Sequence, residues 1–155
     1  MDNSPRVAAA GSRRPTVTRL VGGDLDAWLS QRPEPALVLF DAPWSAACRL
    51  ELGILVRLAV HFSGRLRIGA LDAAAHRDLS RRFRIAWVPT LVLFDSGDVV
   101  ARWEAARDAD ELIREVESAL EGAPVRTVDP AARGCCRTDA FEVLGHPHRE
   151  GRDSR

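Results

Sequence analysis

Ala36-Leu37-Val38-Leu39-Phe40 is an apolar run with no polar alternation, set off upstream by Pro33 and Pro35. A strand with one wet face alternates apolar and polar residues, so an unbroken apolar run of strand length calls for cover on both faces. That is the environment of a central strand in a sheet flanked by helices, and the neighbouring sequence supplies the flanks. Thr16 to Leu20 alternates as a short strand, Gly22-Gly23-Asp24 supplies a turn and helix cap, and Leu25, Trp28 and Leu29 share a helical face. From Ser45 to Phe62, Cys48, Leu55, Leu58, Ala59 and Phe62 recur at helical spacing, with Gly64 placed to end the helix and Gly53 predicting a bend or a close contact inside it. Leu66 to Leu71 is a strand and Ala73 to Phe83 an Arg-rich helix. Thr90 to Phe94 and Val99 to Trp103 form a hairpin through Asp95-Ser96-Gly97-Asp98, and Asp108 or Asp110 caps a last helix with Leu112, Ile113, Val116 and Leu120 on its buried side.

The order βαβαβαββα specifies an α/β fold, a central mixed five-stranded sheet with helices on both faces. At 155 residues the chain is one domain. The sequence divides into a flexible lead over 1–15, the domain over 16–122, and a tail over 123–155 that shows no period and is expected to be loosely attached. Twenty-two basic residues, every one Arg, balance 22 acidic ones. Both ends lean basic, which reads as solvated tails. Nucleic acid and anionic membranes are disfavoured as partners, because they call for a basic surplus. No uncharged stretch is long enough to cross a bilayer, and Met1 to Arg19 contains no secretory apolar core. Only three cysteines are present, Cys48, Cys135 and Cys136. A disulfide-built secreted fold is therefore disfavoured and a cytoplasmic location expected.

Leu37-Val38-Leu39-Phe40-Asp41-Ala42-Pro43-Trp44-Ser45-Ala46-Ala47-Cys48, then Val88-Pro89-Thr90 before a strand, then the Asp95-Ser96-Gly97-Asp98 hairpin, resemble the thioredoxin family over about 16–121. The resemblance implies the thioredoxin fold, a cis peptide bond before Pro89, and a groove in which Val88 lies beside the 45–48 segment where family members lay a substrate strand. It also exposes departures. Family members carry Cys-x-x-Cys, whose first thiolate attacks and whose second cysteine resolves the mixed disulfide. Here Ser45 replaces the attacking cysteine, and a hydroxyl forms no disulfide; Cys48 keeps the resolving-type position. The buried acid that many members carry in the preceding strand is matched by Leu39, and the companion Lys by Ala70. Gly53 stands where a helix-kinking proline is common. Trp87 stands beside Pro89, where small residues are usual.

Each candidate also has a plain reading. An activated Ser45 would need a base within reach, and His61 and His76 fall too far along the chain. Cys48 is either an inert, shielded thiol or a one-cysteine site for mixed disulfides. Trp44 and Trp87 either pack or form an aromatic rim for a partner's strand. Cys135, Cys136, His146 and His148 offer soft ligands suited to zinc or copper, in a spacing that matches none of the common zinc patterns. A tail thiol pairing with Cys48 is a further option.

The reading that follows is a divergent member of the thiol-disulfide exchange family that has lost ordinary turnover. It would bind a polypeptide client, in chaperone-like fashion, in a groove formed by Trp44, Ala46, Ala47, Trp87, Val88 and Pro89. No cofactor is expected, and a thiol-bearing partner is compatible with Cys48. The alternatives are an oxidoreductase that uses Cys48 with a tail cysteine, and an assembly factor for a metal-containing partner.

Overall fold

A computed structural model of the chain describes residues 15–21, 24–104, 108–123 and 136–138. In chain order the elements are β1 (Val17–Leu20), α1 (Leu25–Ser30), β2 (Ala36–Asp41), α2 (Ala46–His61), β3 (Arg67–Asp72), α3 (Arg77–Arg82), β4 (Trp87–Val88), β5 (Thr90–Asp95), β6 (Asp98–Trp103), α4 (Ala109–Leu120) and β7 (Cys136–Arg137). Five strands form one sheet in the order β1-β3-β2-β5-β6. The first three run parallel, while β5 is antiparallel to β2 and β6 to β5.

β2 is the middle strand and all six of its residues are buried, the outcome its unbroken apolar run requires. Its side chains alternate between two apolar layers. Leu37 and Leu39 meet Leu55 and Leu58 of α2, Phe62 at its C-cap, and Leu112 and Val116 of α4 on one face. Val38 and Phe40 meet Leu25 of α1 and Leu79 of α3 on the other. Burial of a large apolar side chain stabilises a fold by about 1.5–3 kcal/mol, so these two layers dominate the energetics.

Geometry favours glycine at two positions. A Cβ on Gly69 would stand 3.2 Å from both Leu20 Cδ1 and Trp28 Cη2, so glycine in β3 leaves room for the close approach of β1 and α1 side chains. Gly97 (φ 86°) and Ser96 (φ 56°) both take left-handed backbone, as the two central residues of a type I′ turn must, and they join β5 to β6 between Asp95 and Asp98.

Three expectations change. The segment expected to be helical from Ala73 becomes helical only at Arg77, because Ala73, Ala74 and Ala75 form a turn in which the Asp72 carboxylate accepts from the Ala74 and Ala75 amides. Gly53 faces solvent in an unbroken α2, with nothing described within 4 Å of an added Cβ, so the expected close contact is not there. The tail read as loosely attached from 123 onward contains β7, which pairs antiparallel with β4 and is held by backbone bonds that leave no sequence period. The lead over 1–14 and residues 139–155 lie outside the described residues. Among the described residues no helix is long and apolar enough to cross a membrane.

Candidate functional site

The site forms where β2 ends and α2 begins. β2 delivers its last buried residue, Asp41, and the chain then turns through Ala42 to Ser45, closed by the Ser45 amide donating to Ala42 O at 3.0 Å. Ser45 has extended backbone and caps α2: its Oγ accepts from the Cys48 amide at 3.4 Å. Serine is among the strongest N-cap residues because its oxygen meets an amide that the helix itself leaves without a partner. Ser45 is only 3% exposed. His61 is remote from it, at the far end of a helix about 24 Å long, against Glu117.

Cys48 is 1% exposed, and its Sγ accepts from the Ala42 amide at 3.3 Å. It packs in the same apolar cluster as Phe40, Ala42 and Val88, with Trp44 against it. The structure therefore brings Ser45, Cys48, Trp44 and Val88 together. Ala46 is exposed, and Ala47 and Trp44 are half-buried at the rim.

The second wall is the segment before β5. The Val88–Pro89 bond is cis, Val88 and Pro89 are buried, and Thr90 Oγ1 donates to Trp87 O at 2.6 Å. Trp87 is half-buried, with its ring turned to a cation: the Arg137 guanidinium lies 5.4 Å from its centroid. Along this wall runs β7. Val88 is opposite Cys136 and Trp87 opposite Arg137, and Thr138 donates from its amide to Ala86 O at 2.9 Å and from Oγ1 to Ile85 O at 2.8 Å.

Sequence reasoning missed the polar floor. Asp41 is 1% exposed and takes a bidentate pair of hydrogen bonds from Arg19 of β1, at 3.0 and 2.9 Å. Burial pushes the Asp41 carboxyl above its usual range, Arg19 pulls it back, and the charge of Asp72 pushes it further up. Arg19 is raised, first by the hydrogen bonds it donates to Asp41, and it also feels the Cys48 thiol, which places all four groups in one electrostatic neighbourhood. The signal available was the apolar run ending in an acid at position 41, two residues beyond Leu39 and on the same strand face. Glu51, also buried, lies one turn beyond Cys48 on α2, a position that its helical spacing alone could have flagged.

Of the soft-ligand candidates, Cys135, His146 and His148 lie outside the described residues, and only the backbone of Cys136 is placed. Among the described residues there is no group of three or more His, Cys, Asp or Glu positioned to hold a metal ion. A cavity of about 320 Å³ opens near Thr16, Trp28, Glu34 and Arg67, at the opposite ends of the strands from Cys48, and none of the motif residues lines it.

The family model described as Thioredoxin matches residues 16–118. The chain is 31% identical to thioredoxin Y, chloroplastic, of Oryza sativa subsp. japonica over 121 residues, covering 75% of this chain and 72% of that one. It is 30% identical over 87 residues to a thioredoxin of Mycobacterium tuberculosis, covering 56% of this chain and 75% of that one. A crystal structure of chloroplastic thioredoxin z superposes with a TM-score of 0.62 at 26% identity, covering 71% of this chain and 99% of that one. With the sheet order, the turn into α2 and the cis bond before Pro89 already in place, this chain belongs to the thioredoxin family.

Proposed function

We propose that this protein is a divergent thioredoxin-like module that binds an extended stretch of polypeptide along β4 and does not turn over disulfides in the usual way. The observation that carries the reading is that the β4 edge does accept an antiparallel strand in this molecule, while the motif position that should attack is a buried helix cap. Strand addition to a free edge supplies affinity through backbone hydrogen bonds and leaves side-chain identity to secondary contacts, which suits a holder of unfolded segments. Trp44 and Trp87, both half-buried, supply the rim. Disulfide exchange needs a thiolate that reaches its partner, and neither Ser45 nor the shielded Cys48 offers one.

A second reading is favoured by one observation. The register sets the backbone of Cys136 opposite Val88, which shares an apolar cluster with Cys48. A dithiol of Cys48 and Cys136 is then the alternative active pair.

One assay separates the two. Dithiothreitol reduces insulin, and the freed B chain aggregates; a reductase brings the turbidity forward, whereas a holder suppresses it in proportion to its concentration. The expected result is suppression without acceleration, unchanged in Cys48→Ser. Acceleration at a thioredoxin-like rate that disappears in Cys48→Ser would overturn the binding reading and favour the dithiol.

A further inference from the structure

β7 and the residue after it are more than a tie between the tail and the domain, because each of the three meets a different feature of the wall. Cys136 sets the register opposite Val88, Arg137 lies over the Trp87 ring, and Thr138 reaches two successive carbonyls, Ile85 O through its hydroxyl and Ala86 O through its amide. Any residue but proline could make the amide bond. Serine or threonine adds the second from a short hydroxyl side chain, and a cation is attracted to the face of an indole.

We infer that the β4 edge recognises an extended segment in which a basic residue is followed by a hydroxyl residue, that Cys136-Arg137-Thr138 is its resident occupant, and that a client binds by displacing it. This rests on the polypeptide-binding reading above and specifies which polypeptides that site prefers.

The recognition is physically coherent. Trp87 and Arg137 form a directly opposed cross-strand pair, the arrangement in which side chains of neighbouring strands interact most. A tryptophan beside Pro89, where the family resemblance leads one to expect a small residue, has a use if the groove must hold a cation. Because the occupant belongs to the same chain, its docking is intramolecular, and a free segment meets a competitor at high effective concentration. Apparent client affinity is then reduced by the fraction of molecules whose edge is open.

The test uses the full chain and a blocked heptapeptide, Gly-Ser-Ser-Arg-Thr-Asp-Ala, which copies the tail with serine in place of cysteine. Thr138→Pro removes both the amide and the hydroxyl donor, and Arg137→Ala is the second variant, which keeps every backbone bond. Amide exchange reads docking directly; calorimetry or fluorescence anisotropy reads peptide binding.

The expected result is a protected Thr138 amide in the unmodified protein and peptide binding about tenfold tighter to Thr138→Pro, as a tail docked about 90% of the time would impose. Arg137→Ala should fall between the two. A peptide with alanine for its arginine and threonine should bind Thr138→Pro about tenfold more weakly than the copy does. An unprotected Thr138 amide, equal peptide affinity for the two proteins, or equal affinity for the two peptides would each overturn the inference. If the peptides behave as expected but no protein holds the insulin B chain, the client reading falls and the recognition stands. If the B chain is held while peptide affinities are equal, the inference falls and the client reading stands.

Discussion

Ser45 Oγ accepts from the Cys48 amide at 3.4 Å, so the side chain at the attacker's place in the motif fastens the first turn of α2. Ser45→Ala is expected to lower stability by about 1 kcal/mol through loss of that cap. Ser45→Cys, which puts a weak sulfur acceptor there, should lose a comparable amount. Urea denaturation of the three proteins checks this, and no loss in Ser45→Ala would show that the cap contributes nothing.

Cys48 should behave as a core side chain rather than a reagent. In a protein carrying Cys135→Ser and Cys136→Ser, its reaction with Ellman's reagent must await an opening of the fold, because the thiol is 1% exposed and bonded to the Ala42 amide. The native rate is expected to lie at least about a hundredfold below that of the urea-unfolded chain, as local opening free energies of a few kcal/mol impose. A native rate near the unfolded one would return Cys48 to the list of accessible thiols.

Much of this arrangement was readable because it is local or periodic. The apolar run of β2 required two covered faces, and two apolar layers cover it; Asp95-Ser96-Gly97-Asp98 read as a hairpin turn, and Ser96 and Gly97 take the positive φ of its two central residues. What escaped was set by partners distant in sequence. β7 is two residues long and carries no period, so its pairing with β4 depends on contacts across about 50 residues of chain. Asp41 drew no reading of its own from the sequence, and only the fold shows it buried against Arg19. Uniform use of arginine invited each one to be read as surface charge. Yet Arg67 donates to Trp28 O and Leu29 O and lies over the Trp28 ring, tying α1 to β3.

Gly53 offers a direct gain. It sits in the middle of α2, exposed, where glycine loses more backbone entropy on folding than alanine, and an added Cβ meets nothing described within 4 Å. Gly53→Ala is expected to stabilise the protein by about 0.5–1 kcal/mol in thermal or urea unfolding. Destabilisation would mean that α2 uses the glycine for a bend after all.

The Asp41–Arg19 pair makes a prediction about pH whose sign follows from the direction of the shift. Burial holds the Asp41 carboxyl above its usual value of 3.8 despite the two hydrogen bonds from Arg19, with Asp72 adding to the rise. An acid whose folded midpoint is raised keeps its proton in the native state at pH values where the unfolded chain has already lost it. The folded state then binds more protons than the unfolded one from about pH 3.8 upward, and stability falls as pH rises through the folded midpoint. Asp41→Asn removes this dependence, so its stability relative to the unmodified protein should improve as pH is raised through that window, whatever the two values are at the acid end. Arg19→Ala should move the Asp41 midpoint still higher, because it removes the partner that does most to favour the charged form. Carboxyl carbon NMR of Asp41 in both proteins reads the midpoints, and urea unfolding between pH 4 and 7 reads the slope. A midpoint below the ordinary carboxylate value, or a relative stability that falls with pH in Asp41→Asn, would show that Arg19 outweighs burial at the floor of the groove.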